Sequence, residues 1–91
     1  MKITTADGFT CELNEEALGD WEILEKMIEA QKGQVTLLPG IMQELIGADG
    51  YNAAKEHCRN EKGRVPTAAI ERLFFEILTS VKNDGPEDKK K

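Results

Sequence analysis

Apolar and polar residues alternate at the start of the chain, a pattern that predicts a β-hairpin over residues 2–13. A two-residue turn at Asp7-Gly8 would place Ile3 on the opposite face from Phe9 and Cys11. A three-residue loop with Gly8 in the left-handed conformation instead pairs Ile3 with Cys11. We favour this loop because it gathers the apolar side chains of the hairpin on one face, namely Ile3, Phe9, Cys11 and Leu13.

After the hairpin, apolar positions recur at helical spacing, which predicts a first helix over about residues 14–32. Asn14 is a strong N-cap residue, and Gly33 is a typical helix stop. The apolar stripe of this helix consists of Ala17, Leu18, Trp21, Leu24 and Ile28. Because Trp21 lies on this stripe, we expect its indole to be buried in the core.

The same spacing predicts three further helices, over about residues 37–46, 50–61 and 67–82. Pro39 suits the first turn of the second helix, and Gly47 suits its end. The last helix has a continuous apolar face, formed by Ile70, Leu73, Phe74, Ile77, Leu78 and Val81.

Residues 83–91 contain nothing to bury and are predicted to form a flexible tail. Residues 1–82 are therefore predicted to form a single small globular domain. The predicted fold class is α+β and helix-dominated, with an N-terminal β-hairpin followed by about four α-helices.

Composition and charge narrow the possible functions. The net charge of −5 argues against nucleic-acid binding, which needs clustered Lys and Arg. The chain has no apolar run long enough to cross a bilayer and does not open like a signal peptide. Cys11 and Cys58 are expected to be reduced and packed as small apolar residues. Together these features predict a cytoplasmic protein that binds neither nucleic acid nor membrane.

The sequence offers no set of groups suited to catalysis or to a cofactor. His57 is the only histidine, and its neighbour Cys58 points about 100° away on a helix, so the two do not form a nucleophile–base pair. Zinc would need a second His, a CxxC pair or a carboxylate at ligand spacing. The acidic residues of the first helix are expected to be a solvated face. We therefore expect no enzyme activity, no metal and no cofactor.

Three apolar residues lie away from the predicted core stripes and are the candidate partner-binding residues. Phe75 lies roughly 130° from the centre of the last helix's apolar face. Ile23 and Met27, four residues apart, lie off the main face of the first helix. Two alternatives remain open: these side chains pack beneath the hairpin, or they form an exposed patch for self-association or a partner.

Several segments resemble one known protein family. The hairpin ends in Phe-x-Cys-Glu-Leu at residues 9–13, and the first helix carries Asp-Trp-Glu-Ile-Leu at residues 20–24. A leucine-rich second helix follows, and then the segment Lys-Glu-His-Cys-Arg-Asn-Glu-Lys-Gly-Arg-Val-Pro at residues 55–66. This combination resembles the tail assembly chaperones of siphovirus bacteriophages and prophages.

The resemblance implies a mostly helical, non-enzymatic protein of the bacterial host cytoplasm. Members of that family self-associate and bind the long tape measure protein. They keep it soluble and help to recruit tail tube protein subunits. The alternative is a small acidic protein–protein adaptor or regulatory module unrelated to phage. A tape measure gene immediately downstream would support the first interpretation.

Overall fold

The N-terminal hairpin has the predicted three-residue loop and register. In the computed structural model, which describes residues 1–84, strand β1 (Lys2–Thr4) pairs antiparallel with β2 (Thr10–Glu12). Ile3 lies opposite Cys11, and the backbone N–H of Thr5 donates to the Phe9 carbonyl at 2.8 Å. Gly8 has a φ of 93°, the left-handed conformation that such a loop requires. All four apolar hairpin residues named above are buried.

The first predicted helix is two helices rather than one. Helix α1 (Glu15–Leu18) begins at Asn14, whose side chain accepts hydrogen bonds from two backbone N–H groups. Gly19 ends α1, and helix α2 (Trp21–Gln31) then begins at a second N-cap, Asp20. The Asp20 carboxylate accepts from the backbone N–H of Glu22 at 2.8 Å, and its extended backbone interrupts the helix.

This interruption makes the prediction of a buried Trp21 wrong. Because the helical phase restarts at Asp20, the residues of α2 are no longer in register with the apolar residues of α1. Ile23 is only 3% exposed and Ala30 is buried, whereas Trp21 is 70% exposed. Leu24 and Ile28, also predicted to be core, are exposed at 40% and 43%. The face of α2 that packs on the domain is therefore rotated by roughly 130° around the helix from the predicted one.

A short 3-10 turn (Val35–Leu37) leads into helix α3 (Leu38–Cys58). Gly47 kinks α3, because its φ of 77° and ψ of 168° are not helical. The helical geometry is thus interrupted at Gly47, where the sequence predicted the end of a helix. The segment after the kink ends at Cys58 and not at the predicted residue 61.

Helix α4 (Thr67–Asp84) completes the described chain. It continues through Asn83 and Asp84, so the predicted start of the tail at residue 83 is wrong. Residues 85–91, the rest of that tail, lie outside the described residues.

The core forms where the hairpin meets the two long helices. Strand β1 contacts α4, and β2 contacts α3. The largest fully buried side chains come from all three elements and are Ile3, Ile41, Met42, Leu45 and Ile77. The protein is therefore a helix-dominated α+β domain, as predicted. No helix within residues 1–84 is both long and apolar enough to cross a membrane.

Candidate functional site: an apolar groove and its surroundings

An open apolar groove of about 350 Å³ lies between α2 and α4. It begins where α2 ends: Gly33, with a φ of 118°, turns the chain into the 3-10 turn, which brings Val35 to the rim. Helix α4 forms the opposite wall. The apolar lining is Met27, Ala30, Val35, Leu38, Phe74, Phe75 and Leu78, with Gln31 and Glu71 as the polar members.

Two of the three residues singled out from the sequence line this groove. Met27 is half-buried in its α2 wall, and Phe75 is 70% exposed on its α4 wall. Ile23 does not join them, because its side chain points into the core. Ile23 is therefore a packing residue, whereas Met27 and Phe75 share one accessible apolar surface.

Val35 is a groove residue that sequence reasoning missed. It is 43% exposed and lines the groove together with Phe75. A signal was available, because Val35 comes two residues after Gly33, beyond the end of α2, and so had no helical stripe to join. An apolar residue in such a turn needs either the core or a partner.

A second apolar surface lies on α2 beside the groove. Trp21, Leu24 and Ile28 follow one another at helical spacing, and all three are exposed. We call these residues the α2 stripe. Met27, in the groove wall, is three residues beyond Leu24, so the stripe and the groove are neighbours on the surface of α2.

The hairpin loop is tied to the end of α3 by a polar contact that the sequence did not indicate. His57 Nε2 lies 2.9 Å from an Asp7 carboxylate oxygen, and the imidazole packs on Phe9 with ring centroids 5.2 Å apart. The hydrogen bond with His57 and a second one from the Thr5 hydroxyl lower the pKa of Asp7 from 3.8 to about 2. Because Asp7 and His57 are far apart in sequence, no local pattern could have paired them.

The surroundings of this contact do not form a nucleophilic centre. Asp7, His57, Cys58 and Glu76 line one depression of about 240 Å³. Burial raises the pKa of the Cys58 thiol, and the charges of Asp7 and Glu76 raise it further. The thiol therefore stays protonated at neutral pH, which is the opposite of what a nucleophilic cysteine needs. Among the described side chains, residues 1–81, no three His, Cys, Asp or Glu groups are placed to hold a metal ion.

The fold and the groove define a small α+β domain with accessible apolar surface on α2 and α4. Comparisons with protein-family models, with curated proteins and with solved structures find no match for this chain.

Proposed function

We propose that this chain acts by binding another protein rather than by catalysis, and that the groove between α2 and α4 is where it binds. The observation that carries the proposal is the meeting of Met27, Val35 and Phe75 in one open apolar groove. These residues come from three separate elements. An apolar groove beside a helix accepts the apolar face of an amphipathic segment, with side chains at helical spacing as anchors.

We further propose that the bound protein is a phage tape measure protein, and that the chain is a tail assembly chaperone. The sequence resemblance supports this choice. The groove supports it too, because a chaperone for a long, aggregation-prone client needs apolar contacts that remain accessible. The net charge of −5 would help to keep the complex soluble. In this role the chain self-associates, recruits tail tube protein and needs no cofactor.

Co-expression tests the proposal directly. The gene neighbourhood is first searched for a tape measure gene; the chain is then produced together with the protein which that gene encodes, and the soluble fraction of this client is measured. We expect Phe75→Asp and Met27→Asp to lower the soluble client sharply, because a charge in the groove opposes apolar contact. The matched control is Ala53→Asp, which introduces the same charge at an exposed position of α3 outside the groove.

Each variant is checked by far-UV circular dichroism and thermal melting. Phe75→Asp should keep the wild-type spectrum and nearly the wild-type melting temperature, since Phe75 is mostly exposed. A folded Phe75→Asp protein that solubilises the client as well as wild type would show that the groove is not the client-binding site. A wild-type chain that leaves the client insoluble, or the lack of a tape measure gene nearby, would count against the chaperone role.

A further inference from the structure

The α2 stripe has an acidic border on the side away from the groove. Glu25 is four residues after Trp21 and three before Ile28, so it adjoins the stripe directly. Glu22 and Glu29 continue the same side of the helix. We call Glu22, Glu25 and Glu29 the acidic edge.

Most of the charge on this edge is available to a partner. Glu29 is engaged by Lys32 at 3.6 Å and by Gln34 at 3.1 Å. Within residues 1–81, Glu22 and Glu25 form no ion pair, and both are exposed. The acidic edge lines a shallow surface depression of about 360 Å³ in which Lys26 is the one basic residue and Leu37 the apolar one. The local charge is therefore negative beside an exposed apolar stripe.

We propose that the α2 stripe binds an amphipathic helix whose apolar residues repeat at heptad spacing and whose adjoining edge carries Lys or Arg. Trp21, Leu24 and Ile28 span two helical turns, about 10 Å along the axis, which matches three successive layers (a, d and the next a) of apolar side chains on a facing helix. Basic residues on that helix would meet the acidic edge. This proposal specifies the chemistry of the helix that the α2 stripe binds. It rests on the proposed function only where it identifies that helix as a segment of the client protein.

A second copy of the chain is a poorer occupant. A two-fold pairing of antiparallel α2 helices, centred between Leu24 and Ile28, would bring Glu25 next to its own copy. In the same arrangement Glu22 of each copy faces Glu29 of the other. Like charges in such positions oppose association, and the net charge of −5 on each chain adds to the effect.

Two synthetic peptides test the proposal. Both are amphipathic helices of about four turns with Leu at the a and d heptad positions. One carries Lys along the edge beside the apolar face, and the other carries Glu at the same positions. Trp21 is the only tryptophan of the chain and lies in the stripe, so its fluorescence reports binding without a label. Isothermal titration calorimetry provides an independent affinity.

We expect the Lys peptide to bind at least about tenfold more tightly than the Glu peptide, with the difference shrinking at high salt. Leu24→Asp should lower the affinity for the Lys peptide by about tenfold or more, since it places a charge at the centre of the contact. The double charge reversal Glu22→Lys with Glu25→Lys should instead favour the Glu peptide. This variant changes only exposed side chains and keeps the stripe.

The controls distinguish binding at the α2 stripe from binding in the groove. Phe75→Asp should lose client binding and still bind the Lys peptide, whereas Leu24→Asp should lose the peptide. Equal affinity for the two peptides, no binding of either, or peptide binding that survives Leu24→Asp would each overturn the proposal. A wild-type dimer at micromolar concentration that becomes monomeric in Leu24→Asp would also overturn it, in favour of a second copy.

Discussion

Two isoleucines of α2 allow a direct test of which face of this helix belongs to the core. Ile23 is 3% exposed and Ile28 is 43% exposed, and both lie inside the same helix. Replacing each with Ala makes the same chemical change. The gain in helix propensity, about 0.4 kcal/mol, is also the same and cancels in the comparison. The difference between the two variants therefore measures burial alone.

The expected loss in the free energy of unfolding differs between the two variants, because one isoleucine is buried and the other is exposed. Ile23→Ala removes a buried side chain and leaves a cavity, which costs about 2–4 kcal/mol. Ile28→Ala removes a side chain already open to water and leaves no enclosed cavity, so it should cost about 1 kcal/mol or less. For a chain of this size, a difference of about 2 kcal/mol corresponds to roughly 8–16 °C in melting temperature.

Thermal melting followed by circular dichroism, at low protein concentration so that association does not contribute, measures this difference. Urea unfolding provides a second estimate, and equal m-values would show that both variants unfold from comparable states. Acrylamide quenching of Trp21 is a parallel check, because a 70% exposed indole should be quenched nearly as strongly as in an unfolded chain. If Ile28→Ala proved as destabilising as Ile23→Ala, or more so, the orientation of α2 described above would be refuted.

Two further predictions concern the kink and the hairpin loop. Gly47→Ala should cost about 1–3 kcal/mol because a φ of 77° with a ψ of 168° is open only to glycine, whereas Gly40→Ala, in a helical position with free space, should stabilise by about 0.5–1 kcal/mol. Melting temperatures that shift in the same direction for both variants would contradict the kink. The Asp7–His57 contact should contribute less than about 1 kcal/mol, as half-exposed pairs usually do. Because the folded pKa of Asp7 is lowered from 3.8 to about 2, this stability is present above pH 4 and is lost as the pH falls towards 2. Melting temperatures of wild type and Asp7→Asn should therefore converge on acidification, and a gap that stays constant would count against the contact.

The hairpin and the kink could be predicted from the sequence because local chemistry determines both. Alternation of side chains fixes the strand register, and a one-residue slip would have moved Ile3 out of the core. Gly8 and Gly47 each occupy a backbone conformation that other residues rarely adopt. These features depend on neighbours in the chain and not on the packing of distant elements.

The orientation of α2 could not be predicted from periodicity, because the helix has two apolar stripes. Ile23, Met27 and Ala30 repeat as regularly as the α2 stripe does, and either set could have faced the core. Gly19-Asp20, a turn followed by an N-cap, is the sequence signal that α2 is a separate helix, so that the apolar stripe of α1 does not decide which stripe of α2 faces the core. A single helix over residues 14–32 is not compatible with that signal.

The groove, too, could be predicted only in part from the sequence. Met27 and Phe75 could be identified as candidate partner-binding residues because each lies away from the main apolar face predicted for its helix. That they line one groove depends on how α2 and α4 each pack against α3, which no local pattern encodes. Val35 joins them only because Gly33 turns the chain at the end of α2.

The two faces of α2 explain why this helix is central to the proposed binding role. One face contributes Ile23 and Ala30 to the core, and the other leaves Trp21, Leu24 and Ile28 in contact with water. An exposed apolar stripe of this kind would normally favour association between copies of the chain. The acidic edge opposes such pairing, and it attracts a partner whose edge is basic. The same carboxylates can therefore oppose the pairing of two α2 stripes and select the helix that the stripe binds.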